Sequence, residues 1–470
     1  MSKRLPVLPA AEPLEQYAQQ FDPLFSKRNQ RAGFRRYLDG LLLPAERNKT
    51  LTALANSEPI TGAHQPQGQS LQWFLSEATW DADVINRQRL DLLLNNPDTV
   101  PHRHGALVID ETGDRKDGTK TAFVGRQYLG SIGKIDNGVV SVSSLWADER
   151  VYYPLDVAPY TPAQHFARGK ADASFRTKPQ LALALVEPAV AADIPFQAVV
   201  ADCFYGEHEE FKAGLHRLKI GYVLALKPSH TWWHPVNDLG SLWDVAQAAG
   251  WAGPDQPGKW VRVPRVFRDG HAETGWGLEI DYGPYGPTRS IRAVVATTDP
   301  ERLPDLTTWY LTTNLPAAQT MPHAESRLAA ADVAEVVRLY GLRTWVEQSY
   351  KQVKGALGWA EYQVRSAVAI RRHWHLVWCA FSFCWWHASQ TGQLDRAPEG
   401  PVDASGGDAP AGSTPAGRGK NQLHDGRAAA HDVAACAASR PSLAGTMDHA
   451  AALLASLVVP GATARTVRTP

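Results

Sequence analysis

The stretch GALVIDETGD, residues 105–114, carries the decision about the fold. Ala106 to Ile109 form an unbroken apolar run that stops on Asp110 and Glu111. A short apolar run closed by polar residues reads as a strand buried on both faces. The stretch PFQAVVADCFYG, 195–206, repeats the theme and stops on Asp202. Between the two, GVVSVSSLWAD and RVYYPLDVAPY predict a hairpin turning around DER, and a helical pattern spans 179–192. EHEEFKAGLHRLK predicts a helix and GYVLALK a further strand. Strands separated by helices in this order predict a mixed α/β sheet.

Working outward, residues 1–100 carry apolar side chains at three and four spacing, as in LEQYAQQFDPLFSK and QRAGFRRYLDGLLLP. They predict an N-terminal helical domain of four to six helices. Residues 101–229 form the first part of the α/β core. Residues 230–292 are rich in Gly, Pro and Trp with short alternating runs such as KWVRVPRVF, and predict a small β-rich insertion. The sheet pattern resumes in IRAVVATT and TTWYLTTN. A helix over 326–338 and a buried helix over 366–388 complete a second part of the core, 293–390. From 391 to 470 the chain is low in complexity, with EGPVDASGGDAPAGSTPAGRGKNQ at its start, and disorder is expected.

The 470 residues carry 48 basic and 48 acidic side chains, so net charge does not advertise a nucleic-acid partner. Local charge does: from 340 to 375 six Lys and Arg face two Glu. Four cysteines without a CxxC pair argue against a disulfide framework and a zinc ribbon. The N-terminus shows no signal segment, and no apolar run reaches the length of a membrane span. A cytoplasmic protein without a membrane partner is expected.

Asp110 and Asp202 end strands that could be neighbours. Carboxylates converging there are hard oxygen ligands suited to Mg²⁺ or Mn²⁺. A third carboxylate on a nearby helix would complete a site of the two-metal kind. YGLRTWVEQSYKQVKG, 340–355, supplies Glu347. On one continuous helix Tyr340, Arg343, Glu347 and Lys354 fall at about 0°, 300°, 340° and 320°, a stripe roughly 60° wide. Arg343 and Lys354 could hold phosphates and Tyr340 could donate a hydrogen bond; an Arg343–Glu347 ion pair one turn apart is the plainer alternative. Glu111, Asp114, Glu207, Glu209 and Glu210 rank below the main three, with Asp114 expected in a loop.

These residues resemble the DDE triad of RNase H-like transposases. Tyr340–Arg343–Glu347–Lys354 is similar to the signature of the IS4-type superfamily. The segments at 108–142, 199–206 and 345–366, the last followed by IRRHWHLV, resemble the three catalytic regions of the IS701-like group. The resemblance covers about 30–390. It implies an RNase H-like core and an insertion-sequence transposase that binds terminal inverted repeats and target DNA. With Mg²⁺ or Mn²⁺, such an enzyme hydrolyses a phosphodiester to free a 3′-hydroxyl, which then attacks a target strand. A dimer is expected in the synaptic complex, and relatives release the element through a DNA hairpin. The alternatives are an RNase H-fold nuclease without strand transfer and a silent, repurposed DNA-binding protein.

Further bets follow from charge and aromatic character. Arg343 and Lys354 are expected near the scissile phosphate, and Lys351 joins them as a candidate for DNA phosphate contact or positioning. Arg126 and Lys134, with Lys116, Lys120 and Gln127, form a basic Gly-rich strip that could meet the DNA backbone. The resemblance puts a base-stacking tryptophan in the insertion, with Trp232, Trp233, Trp251 and Trp260 as candidates, against the commoner role of core filling. Arg365, Arg371 and Arg372 could extend the DNA path, and Arg31, Arg35 and Arg36 could grip a DNA end. His373 and His375 are two apart and are poor joint metal ligands.

Overall fold

A computed structural model describes residues 9–394 apart from 45–46, 59–63, 235–237, 267–271, 281–290, 319–327 and 393. The expectation for 391–470 falls almost wholly outside these residues. Five helices come first: α1 (Leu14–Gln19), α2 (Arg28–Leu42), α3 (Leu51–Leu54), α4 (Pro66–Ser76) and α5 (Ala82–Leu94). The Asp81 carboxylate caps α5 by accepting from the amide of Asp83 at 2.8 Å.

Strands β1 (Ala106–Arg115), β2 (Gly125–Leu129), β3 (Lys134–Ala147) and β4 (Tyr152–Tyr160) follow. The β3–β4 hairpin turns at the expected DER, closing on the pair Ala147 and Tyr152. Helix α6 (Lys178–Ala191), started by a Thr177–Gln180 capping box, crosses to β5 (Ala198–Ala201). Helices α7 (Cys203–Gly206) and α8 (Glu209–Arg217) then lead to β6 (Tyr222–Leu226). β5 pairs parallel with β1 and with β6, whereas β3 pairs antiparallel with β1 and β4. The order β4-β3-β1-β5-β6 is the mixed sheet expected of an RNase H-like core.

The next segment gives β7 (Thr231–His234), β8 (Asp238–Ser241), α9 (Leu242–Gln247), β9 (Val261–Val266) and β10 (Ala272–Ile280). β7 and β8 pair with each other. β9 and β10 instead extend the main sheet beyond β11 (Arg292–Thr297) and β12 (Trp309–Thr313), giving ten strands among the described residues. Their inner face has its own apolar cluster, with Trp232, Trp260, Trp276, Leu278 and Tyr310. α10 (Val333–Gly341), α11 (Thr344–Gly355) and α12 (Ala367–Gln390) finish the described chain.

α12 is buried along most of its length and packs on α5, α2 and α4 as well as on α11 and β4. Each large apolar side chain it withdraws from water contributes roughly 2–3 kcal/mol. Its N-cap is Ser366, which accepts from the Ala369 amide at 3.2 Å. No helix among the described residues is long and apolar enough to cross a membrane.

Two sequence expectations are corrected here. β1 runs to Arg115, so Asp110 lies mid-strand and Asp114 is in the strand rather than a loop. The stretch 340–355 is two helices: α10 ends at Gly341 and α11 begins at Thr344, with tight three-residue turns such as Arg343 N–H to Tyr340 C=O at 3.0 Å between them. Strand β2 went unforeseen inside the basic Gly-rich strip.

Candidate active site

The register of the parallel pair builds the site. Ile109 of β1 stands opposite Ala201 of β5. Asp110 and Asp202 each follow directly after that last paired position, at the same end of two neighbouring parallel strands. Asp202 begins α7, and its Oδ1 accepts from the amides of Phe204 at 3.0 Å and Tyr205 at 3.4 Å. Gly206 lets that turn lie flat on β6, since a Cβ there would stand 1.9 Å from the Ala225 carbonyl oxygen.

α11 brings the third carboxylate. Arg343, at its N-cap, reaches both sides: Nη2 lies 3.2 Å from Asp110 Oδ2 and Nη1 lies 2.6 Å from Glu347 Oε1. The Asp110 side chain is 10% exposed and that of Glu347 58%. One carboxylate is thus sequestered and the other is open to an incoming molecule. Burial pushes the Asp110 carboxyl up to about 7; Arg343 opposes the rise, while Asp202 and Glu347 add to it. Burial works against the charge on Arg343, yet Asp110 and its neighbours hold that guanidinium above its ordinary value. Arg343 Nε is buried without a hydrogen-bond partner.

The surrounding residues brace this centre. Lys354 Nζ pairs with Asp114 Oδ1 at 2.7 Å and donates to the Gly113 carbonyl at 3.0 Å. Glu111, pointing to the other face of β1, pairs with Lys178 at 2.6 Å. The Tyr350 hydroxyl donates to the Asp110 carbonyl at 3.1 Å and bonds with Ser143. Tyr340 is buried against Trp309, and its hydroxyl is raised by burial, with Asp202 and Asp110 adding to the shift against Arg343. Phe204, two residues after Asp202, is an exposed aromatic.

Other sequence candidates lie elsewhere. Lys351 and Arg126 are exposed, and Lys134 is exposed beside Asp136 at 3.8 Å. Lys116 is drawn inward, donating to the Ala360 carbonyl at 2.7 Å over the Tyr362 ring, and burial lowers its amine to about 8. Trp232 and Trp260 are buried, and Trp233 and Trp251 are half-buried, the last edge-on to Trp276. Glu207 binds His230.

Three arginine expectations are corrected by burial. Arg35 is locked by Glu15 and Asp22, Arg31 is buried, and Arg372 donates to the carbonyls of Leu75 and Trp80. These side chains hold the helices together rather than face a DNA end. Arg371 pairs with Asp83, while Arg36 and Arg365 are exposed. His373 bonds to Tyr37 at 2.8 Å and to the Gly358 carbonyl, so it serves the core.

Sequence reasoning missed Tyr350 and Ser143. Their only signal was position, Tyr350 lying three residues after Glu347 on the same helix.

The donor chemistry fits a hard divalent cation. Asp110, Asp202 and Glu347 offer only carboxylate oxygens, and burial disfavours the charged form of Asp110 unless a cation is near. Among the described residues no three His, Cys, Asp or Glu converge into a finished metal cluster. Arg343 supplies the counter-charge instead.

Comparison with known proteins agrees with this architecture. A family model described as DDE superfamily endonuclease matches residues 20–260, a span that includes Asp110 and Asp202. A probable transposase for insertion sequence element IS701 from Microchaete diplosiphon is 33% identical over 361 residues, 76% of this chain and 83% of that protein. The chain belongs to the DDE superfamily endonucleases, in the IS701-like transposase group.

Proposed function

We propose that this protein cuts and joins DNA at the ends of an insertion sequence, with Asp110, Asp202 and Glu347 holding Mg²⁺ or Mn²⁺. The observation that supports the reading is the β1–β5 register, which ends one residue before both Asp110 and Asp202, with Arg343 linking Asp110 to Glu347. A bound divalent cation would supply activation of the attacking oxygen and charge stabilisation at the leaving oxygen. The chain's own residues do the rest. Arg343 pairs with two carboxylates before DNA arrives. An incoming phosphate offers the guanidinium a better partner, and the unpartnered Nε gives it a further donor. Its departure frees Asp110 and Glu347 for the cation.

Lys354 keeps Asp114 and Gly113 with two of its three donors, leaving one for a phosphate oxygen. Lys351, Lys134 and Arg126 contact the backbone farther out, and Tyr340 positions Arg343. Among the tryptophans, half-buried Trp233 and Trp251 suit base stacking better than the buried Trp232 and Trp260. The partners are terminal inverted repeats and target DNA, engaged as a dimer at synapsis by a cytoplasmic protein. The helices before residue 100 are read as a support for the core that also presents Arg36 to DNA.

Incubation with duplexes carrying the flanking inverted repeats, with and without Mg²⁺, tests the reading. Cleavage should require the metal, and Asp110→Asn, Asp202→Asn and Glu347→Gln should each reduce it to background. Strand-transfer products separate a transposase from a plain nuclease. Metal-independent cleavage, or full activity in those variants, would sink the assignment.

A further inference from the structure

We propose that Tyr350 is a positioning residue for the reaction: its hydroxyl fixes the Glu347 helix to the strand rung that carries Asp110, and so sets the separation of those two carboxylates. The inference rests on the metal-site reading above and adds a residue outside the Tyr–Arg–Glu–Lys signature.

The geometry is specific. Tyr350 and Glu347 are three apart on α11, neighbours on its surface. The Tyr350 hydroxyl donates to the main-chain carbonyl of Asp110 at 3.1 Å. With that proton committed, the Ser143 hydroxyl donates to the phenol oxygen. Ser143 is the residue directly opposite Asp110 in the β1–β3 ladder. One phenol therefore touches both members of the rung on which the buried carboxylate stands.

Other anchors of α11 act farther away. Lys354 fixes its last turn to Gly113 and Asp114. Gln352 accepts from Tyr152 at 2.9 Å, and Trp345 stacks on the Tyr152 ring at 4.7 Å, which fixes the rear of the helix to β4. None of these bonds ends on Asp110. Arg343 does, but it is the group that a DNA phosphate would draw away. Once Arg343 turns, the Tyr350 bond still ties the Glu347 helix to the Asp110 residue. Hydrogen-bond partners behind metal ligands fix their orientation, and losing one typically costs about 10–100-fold in metal affinity or activity.

The test is Tyr350→Phe in the full chain, with Ser143→Ala as companion. The phenyl ring keeps the packing, and only the hydroxyl is lost. Mn²⁺ bound to protein with a terminal-repeat duplex is read by electron paramagnetic resonance, with the duplex alone subtracted. The half-saturating Mn²⁺ for cleavage is measured in parallel. Tyr350→Phe should weaken Mn²⁺ binding and raise half-saturation about 10-fold, with KM for DNA unchanged and most of kcat recovered at saturating metal. Ser143→Ala, which leaves the bond to Asp110, should shift both by less.

Unchanged Mn²⁺ affinity in Tyr350→Phe overturns the proposal whatever happens to the rate, as does a larger shift in Ser143→Ala. Failure of the underlying metal-site reading looks different. Asp110→Asn and Glu347→Gln would then leave Mn²⁺ binding untouched, and both inferences fall together.

Discussion

Asp110 stands in the middle of a buried strand, and that placement has a measurable cost. Its carboxyl is raised by burial from an ordinary 3.8 to about 7. Between those values the folded chain holds a proton that the unfolded chain has released. Stability of the metal-free protein therefore falls as pH rises from about 4 to about 7, and the loss is complete above the folded value. Asp110→Asn removes this slope. Thermal melts in a chelator across that range should show the Asn variant gaining on the wild type as pH rises; a difference that stays flat would contradict the burial account. The residue itself was legible, because an apolar run stopping on an acid is a visible pattern. Tyr350 was not. Its importance comes from a bond to a main-chain atom 240 positions away, and no local spacing reports such a bond.

At the scale of elements, the strands with apolar runs were readable and the polar ones were not. β1 continues through Thr112, Gly113 and Asp114 because Thr112 and Asp114 are buried, with Lys354 meeting the Asp114 charge. A polar residue satisfied by a distant partner looks in sequence like the end of a strand. The break between α10 and α11 was hidden for a related reason: Leu342 and Arg343 keep helical dihedrals while their hydrogen bonds tighten. Arg343 and Glu347 pair at the start of α11, whereas Lys354 is held by Asp114 and Gly113 and Tyr340 approaches Arg343 from a separate helix. The same scale governs α7. Gly206→Ala would drive a methyl group into the Ala225 carbonyl. Backbone cannot yield as a side-chain tip can, so the variant should lose about 3 kcal/mol or more, at or beyond the upper end of ordinary overpacking. Urea titration followed by circular dichroism checks this, and a wild-type midpoint would show that α7 lifts freely from β6.

For the molecule as a whole, α12 is the shared element. It buries one face among α2, α4 and α5 and meets α11 and β4 with another. Arg89 of α5, fully buried, bonds Asn86, the Leu155 carbonyl and Ser382, and so ties three parts of the chain at one point. Hydrophobic spacing showed helices before residue 100 and a sheet after it, but not that one late helix would serve both. Calorimetry should therefore record the first 100 residues and the catalytic sheet melting in a single transition. Two separated peaks would contradict a common core. The position of α12 also has a consequence in time. During synthesis the early helices emerge long before residue 367 exists to cover them. Asp110 and Asp202 likewise wait, beside each other, for a helix made far later. A chain released before residue 347 lacks both Glu347 and the helix that covers its core. With Glu347 in its proposed role, aborted translation yields a fragment unable to cut DNA.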